Sequence, residues 1–180
     1  MQIHLSVIPP PSIRRMAAEL AKKYVSKYPH FFVVDNARLF PHITLFWMDI
    51  NKSRYYQLEK VLAGVLRKQG KIPLFINRHF YSKINKGGWT GLKIRESRRL
   101  SFLRSETFRS LKDFSAKSAK LKKTFSPHIT LTKFKKHSNA KLATKFSKIP
   151  PRYFTVNLVA ICIDGPYRQV KKTIKIYKLS

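Results

Sequence analysis

Five residues, Pro-His-Ile-Thr-Leu, occur twice in this chain, as Pro41 to Leu45 and as Pro127 to Leu131, one copy in each half of its 180 residues. Successive side chains of an extended strand point to opposite faces. In the first copy His42 and Thr44 therefore share one face and Ile43 and Leu45 the other. The second copy repeats this with His128 and Thr130 against Ile129 and Leu131. Each strand presents an apolar face suited to a core and a polar face carrying an imidazole beside a hydroxyl. A repeat of this kind points to an internal duplication. Two such strands facing each other would make a site with two histidines and two hydroxyls.

The rest of the chain reads as strands and helices in each half. Ile3 to Ile8 is a predicted strand, stopped by Pro9-Pro10-Pro11. Ser12 then caps a helix whose stripe is Ile13, Met16, Ala17, Leu20, Ala21, Tyr24, Val25 and Tyr28, ending before Pro29. Phe31 to Val34 is a short strand, and Leu39 to Met48 holds the first repeat. Asn51 begins a second helix through about Gln69, closed by Gly70. Pro73 to Tyr81 and Gly88 to Ile94 form a strand pair around Asn85-Lys86-Gly87-Gly88. A third helix runs from about Arg99 to Ala116 and buries Leu100, Leu103, Phe108, Leu111 and Phe114. Lys117 to Lys123 is a basic loop, and Phe125 to Phe134 carries the second repeat. Ala140 to Phe146 is a short helix, and Tyr153 to Ile163 and Val170 to Leu179 are the closing strands. This order predicts an α+β architecture of two pseudo-symmetric lobes with antiparallel sheets, forming one domain over residues 1–180.

Charge narrows the range of partners. Lys and Arg number 38 against 8 Asp and Glu, a formal net charge of +30. So large an excess favours nucleic acid or phosphorylated ligands. With 43% hydrophobic residues and 13 phenylalanines the chain can still build a packed interior. Its single cysteine, Cys162, lies in an apolar run and reads as a buried, inert thiol, so no intramolecular disulfide forms and a reducing compartment is expected. The start of the chain lacks a signal-peptide pattern, and no run reaches the roughly 18 apolar residues of a membrane span. A cytoplasmic protein without membrane association is expected.

Two imidazoles that titrate near neutrality suit paired proton transfers, one to activate an attacking oxygen and one to protonate a leaving oxygen. Phosphodiester hydrolysis needs such a pair. The hydroxyls of Thr44 and Thr130 are placed to donate to non-bridging phosphate oxygens. Metal-dependent hydrolysis would instead need clustered carboxylates. The acids Glu19, Glu59, Glu106 and Asp113 fall on predicted helices, while Asp35, Asp49, Glu96 and Asp164 are scattered. No His/Cys spacing resembles a zinc site. The expectation is metal-independent acid/base catalysis without a cofactor.

His42-Ile43-Thr44 and His128-Ile129-Thr130 resemble the paired H-x-T motifs of the two-histidine phosphoesterases of the LigT-like or 2′-5′ RNA ligase type. The likeness extends over nearly the whole chain: Gly88-Trp89-Thr90-Gly91 is similar to the family's mid-chain strand, and Gly165-Pro166-Tyr167 to a late segment whose aromatic can lie near a bound nucleotide. The resemblance implies a bilobal fold with both motifs facing a central cleft and helices outside. It also implies chemistry on RNA ends, commonly the opening of a 2′,3′-cyclic phosphate to a 2′-phosphate, with His128 activating water and His42 protonating the departing 3′ oxygen. The opposite assignment serves the ligating direction. Two departures stand out. Phe46-Trp47-Met48-Asp49 replaces a common Phe-Leu-Gly-Glu, and Lys133 follows the second motif where bacterial RNA-processing members usually carry arginine. Lysine neutralises phosphate but cannot grip it bidentately.

The expected site thus consists of His42 and His128 as catalytic groups and Thr44, Thr130 and Lys133 as phosphate ligands. Tyr167 and His4 are expected near the substrate, Tyr167 as a stacking ring and His4 facing the cleft from a central strand. Lys171, Thr173, Lys175 and Tyr177 form a polar face of the last strand that either follows a phosphate backbone or is merely solvated. Trp47 and Trp89 are expected in the core, and His30, His79 and His137 are structural or surface residues. The functional expectation is a monomeric RNA 2′,3′-cyclic phosphodiesterase. A 2′-5′ oligonucleotide phosphodiesterase or ligase, and a basic RNA-binding module without turnover, are its competitors.

Overall fold

A computed structural model describes residues 1–25, 27–35, 37, 39–84, 87–116, 121, 124–136, 138–139, 141, 149, 151–166 and 169–180. The expectations for Tyr167, for His137, for most of the Lys117 to Lys123 loop and for nearly all of the Ala140 to Phe146 helix lie outside these residues.

Among the described residues nine strands and three helices follow in the order β1 (Gln2–Ile8), α1 (Pro11–Val25), β2 (His30–Val33), β3 (Ile43–Asp49), α2 (Tyr55–Arg67), β4 (Ile72–Ile84), β5 (Gly87–Ile94), α3 (Arg98–Leu111), β6 (His128–Phe134), β7 (Arg152–Val156), β8 (Leu158–Asp164) and β9 (Val170–Lys178). The strands pair in the order β7-β4-β5-β6-β3-β1-β8-β9, with β2 added to β6. Every pairing is antiparallel. The two halves meet between β6 and β3, where a single pair, Ile43 with Ile129, joins them. Two sheets thus run into one another at the isoleucines of the two repeats.

The helices cover one face. Ile13, Ala17 and Ala21 of α1 are buried at helical spacing, as are Leu58, Leu62 and Leu66 of α2. Ser97 caps α3 by accepting from the Leu100 amide at 3.2 Å. Beneath the helices lie Ile43, Leu45, Ile76, Leu92, Ile94, Ile129, Leu131 and Val159, each at most 2% exposed. Full burial of one such side chain is worth roughly 1.5–3 kcal/mol, so this layer holds the halves together far more firmly than the single strand pair between them.

Three sequence expectations are revised. Pro11 is already helical, as a first-turn proline can be, because its missing amide would have no intrahelical partner. Asn51 caps a short 3₁₀ turn, Lys52–Arg54, that leads into α2. The segment expected as one strand from Tyr153 to Ile163 is two: β7 pairs with β4 at the far edge of one half, and β8 pairs with β1 in the other. The ladder breaks at Asn157, where the chain passes between the halves; alternation in β7 before it and the continuous apolar run of β8 after it both read as strand, so one polar residue is all that marks the break. No helix of the described residues is long and apolar enough to cross a membrane.

Candidate active site

Each repeat contains a β-bulge at the same place. Leu5 pairs with Phe46 and Ser6 with Thr44, leaving Leu45 as the extra residue. Thr90 pairs with Thr132 and Gly91 with Thr130, leaving Leu131 as the extra residue. An extra residue reverses the alternation beyond it. From His42 to Met48 and from His128 to Phe134 the burial sequence is therefore identical: half-buried, buried, half-buried, buried, buried, half-buried, buried. The bulges return Trp47 and Lys133 to the face of the histidines and threonines. Uninterrupted alternation would have aimed both away from it. Each bulged carbonyl has a donor: Leu45 O accepts from Arg104 Nε at 3.0 Å, and Leu131 O accepts from the Val34 amide at 3.0 Å.

His42, Thr44, His128, Thr130 and Lys133 line one cavity of about 650 Å³. Trp47 and Trp89, expected in the core, stand in its wall, and so does Ser82. Pro166 and Gln169 line it as well, on either side of the segment containing Tyr167. No carboxylate occurs among the described lining residues. The antiparallel Ile43–Ile129 pair sets the two motifs side by side, and both histidines and both threonines open onto the one cavity.

Both imidazoles are fixed in the same way. His42 Nδ1 lies 3.1 Å from the Phe40 carbonyl, and His128 Nδ1 lies 2.7 Å from the Ser126 carbonyl, each two residues upstream. A carbonyl only accepts, so Nδ1 carries the proton in each ring. Nε2 is then the atom left for proton transfer. Aromatic walls restrict the rings: Phe40 lies edge-on to His42 at 6.0 Å, and Trp89 and Phe80 flank His128 at 4.6 and 5.8 Å.

The environments differ behind the rings. Burial pushes His42 down to about 4; the His4 and His128 imidazoles push the same way, while the Phe40 carbonyl and the Asp164 carboxylate push back. His128 is also held below its ordinary value, first by burial and then by the Lys93 ammonium, against the Ser126 carbonyl. Lys93 lies across from His128 in the ladder and bonds Ser126 Oγ through Nζ.

His4 occupies a different position from the one expected. It is fully buried and does not line the cavity. Its ring stacks on His42, with centroids 5.2 Å apart and planes 22° from parallel, and its Nδ1 contacts Asp164 Oδ1. His4 lies across from Cys162, and Asp164 is two residues farther along the same face of β8, which explains the contact. The site therefore has a buried Asp164–His4 pair behind His42, on elements far apart in sequence. Nothing in the local sequence around Asp164 signals this.

The other sequence expectations separate. Lys175 Nζ lies 3.1 Å from Glu59 of α2, so this part of β9 faces a helix and does not extend the cavity. Cys162 is buried, and burial pushes its thiol up to about 12, consistent with an inert group. His79 is likewise lowered to about 4 by burial. His30 bonds the Tyr28 carbonyl at 3.2 Å. Among the described residues no three His, Cys, Asp or Glu side chains come together as a metal-ligand set.

Comparison with known proteins bears on the family and the fold. The profile of the 2′-5′ RNA ligase superfamily matches residues 9–164. No curated protein matches the chain by sequence. TT0787 of Thermus thermophilus superposes with a TM-score of 0.71 at 15% identity, covering 99% of this chain and 98% of its own. E. coli LigT complexed with 3′-AMP gives 0.66 at 17% identity, with 99% and 98% covered. Usb1 of Kluyveromyces marxianus gives 0.58 at 9% identity over the same shares. At these identities the structures speak for the fold, and the profile speaks for the lineage. With two H-x-T strands meeting at one cavity, the chain belongs to the 2′-5′ RNA ligase superfamily and carries the two-histidine phosphoesterase fold.

Proposed function

We propose that the protein is an RNA 2′,3′-cyclic phosphodiesterase that works without a metal or other cofactor. The observation that carries this reading is the matched pair of imidazoles, each with Nδ1 committed to a backbone carbonyl and Nε2 left for proton transfer, in one cavity that both threonines also line. In the proposed reaction His128 Nε2 takes a proton from water as the water oxygen bonds to phosphorus. The P–O3′ bond breaks, and His42 Nε2 gives its proton to the departing 3′ oxygen. The product is a 2′-phosphate with a free 3′-hydroxyl. Thr44, Thr130 and Lys133 hold the non-bridging oxygens as charge builds on them.

Electrostatics assign a condition to the acid role. Burial favours neutral His42 in the free protein, so the bound phosphate anion must raise its affinity for the proton. The strand carrying the cyclic end supplies that charge itself. His42 can serve as base and His128 as acid in the reverse, ligating direction, which the 2′-5′ linkage reading would use. We further propose that the protein acts as a cytoplasmic monomer, with Tyr167 contacting the nucleotide from the segment between Pro166 and Gln169.

An RNA ending in a 2′,3′-cyclic phosphate and a 2′-5′-linked oligoadenylate, each supplied with chelator, separate the readings. Conversion of the first to a 2′-phosphate, with the second intact, is the expected result. Cleavage or formation of 2′-5′ linkages alone would favour the ligase-type reading, and tight binding without turnover of either would favour the RNA-binding module.

A further inference from the structure

The open face of the sheet does not end at the cavity. Strand pairing carries the face of His128 outward through neighbouring residues. His128 pairs with Lys93 on β5, and Lys93 pairs with Arg78 on β4. Arg95 follows two residues after Lys93, on the same face. A bulge at Asn77 then brings Phe75 to that face, and the Arg95 amide donates to its carbonyl at 2.9 Å. Phase is checked by the neighbours, because Ile76 and Ile94 pair with each other and are fully buried on the helix side. Phe75 finally pairs with Tyr153 on β7.

These residues make a graded surface. The Arg95 guanidinium lies over the Phe75 ring at 4.8 Å, and the Tyr153 ring lies 4.5 Å from that of Phe75. Arg78 and Arg95 are exposed, and Tyr153 is 77% exposed. The ion pairs found among the described residues involve none of Lys93, Arg78 or Arg95. Tyr153 extends a cationic strip that begins beside His128.

We propose that this strip, Lys93, Arg78, Arg95, Phe75 and Tyr153, is a binding track for the single-stranded RNA that leads into the site from its 5′ side. The inference rests on the cyclic-phosphodiesterase reading only for the identity of the RNA end. Charge fits the occupant: phosphates meet the lysine and arginines, and a base stacks on Tyr153, whose π face is insensitive to sequence. Geometry fits too. From β6 to β7 is three strand spacings, about 14 Å, with one step of about 7 Å along β5. A stacked strand rising about 3.4 Å per nucleotide covers that diagonal in about five nucleotides, and an extended one in fewer. A dinucleotide, rising about 3.4 Å per step, is too short to span from His128 to Tyr153, whereas a longer strand can.

The test compares a cyclic-phosphate dinucleotide with an eight-nucleotide single strand bearing the same end, on the wild-type protein and on Tyr153→Ala, Tyr153→Phe and Arg95→Ala. Because these side chains are exposed, the variants should fold normally. The wild type should have the lower KM for the longer strand. Tyr153→Ala and Arg95→Ala should raise that KM roughly 5- to 30-fold, leaving kcat and the dinucleotide KM unchanged, and Tyr153→Phe should restore it. Direct titration of an eight-nucleotide strand with a 3′-hydroxyl end, read by fluorescence anisotropy, tests the track without turnover. Equal KM for both lengths, or equal strand affinity in wild type and Tyr153→Ala, overturns the track and leaves the active-site reading standing. No turnover of either cyclic end, with strand affinity still lost in Tyr153→Ala, overturns the active-site reading and supports the track.

Discussion

Replacing Gly91 with alanine should damage catalysis from a position that touches no substrate. A Cβ built there would lie 2.6 Å from the Ile129 carbonyl oxygen and 3.0 and 3.1 Å from two Phe80 ring carbons. Ordinary contact is about 3.5 Å, so β5 and β6 must separate by roughly 0.9 Å. The carbonyl belongs to a backbone and cannot rotate aside. Ile129 is also the residue through which the two halves pair, and it lies between His128 and Thr130. Phe80, pressed from the same side, packs against His128 and Trp89. A displacement near 1 Å of one catalytic group relative to another costs on the order of 10² in rate. Overpacking should also remove about 1–3 kcal/mol of stability. Gly64→Ala is the control, since nothing lies within 4 Å of its added Cβ on α2; it should stabilise the fold by roughly 0.5–1 kcal/mol with kcat unchanged. The assay is single-turnover opening of a cyclic phosphate beside urea unfolding of both variants. A folded Gly91→Ala protein with wild-type kcat would refute the reasoning.

Three further outcomes are expected. Because kcat/KM reports the free protein, in which burial lowers His42 to about 4 and holds His128 below its usual value, kcat/KM should already be declining below pH ~6.5, whereas the limb in kcat should lie higher because the bound phosphate favours a charged imidazole; identical limbs would contradict this. His42 and His79 bind protons more weakly folded than unfolded, so stability should fall as pH drops from ~6.5 to about 4, by at most about 3 kcal/mol per ring before solvent screening. His79→Phe should flatten that dependence in urea unfolding without altering kcat, and an unchanged slope would show that His79 does not contribute. Arg104→Met should leave the bulged Leu45 carbonyl without its 3.0 Å donor and cost about 1–3 kcal/mol, with a fall in kcat as Thr44 and Trp47 lose their placement; undiminished stability and rate would show that the bulge holds itself.

Much of the site was legible because strand alternation acts over one or two residues. It put His42 with Thr44 and His128 with Thr130, and burial on the two faces agrees with it. The bulges at Leu45 and Leu131 mark where that reading stops working. An extra residue in a strand arises from the partner's register and from donors such as Arg104 and the Val34 amide, so Trp47 could not be assigned to the cavity from its neighbours alone. Lys133 was expected at the phosphate from family resemblance, and the bulge supplies the physical reason for its position. His4 and Asp164 come together only because β1 pairs with β8, a contact across almost the whole chain. The break at Asn157 is hidden for a related reason: a single polar residue separates two strand-like stretches, and only the change of pairing partner from β4 to β1 divides them.

Paired acid/base catalysis by the repeated histidines is tested most directly by single-turnover hydrolysis of an RNA 2′,3′-cyclic phosphate with excess chelator, comparing wild type, His42→Ala, His128→Ala and the double variant. Turnover to a 2′-phosphate in the wild type is expected, with each single variant slower by roughly 10²–10⁴-fold. The double variant should lose much less than the product of the two, since groups acting on one reaction as a unit are not additive. Folded single variants that retain the wild-type rate, or a wild-type rate abolished by the chelator, would contradict the account.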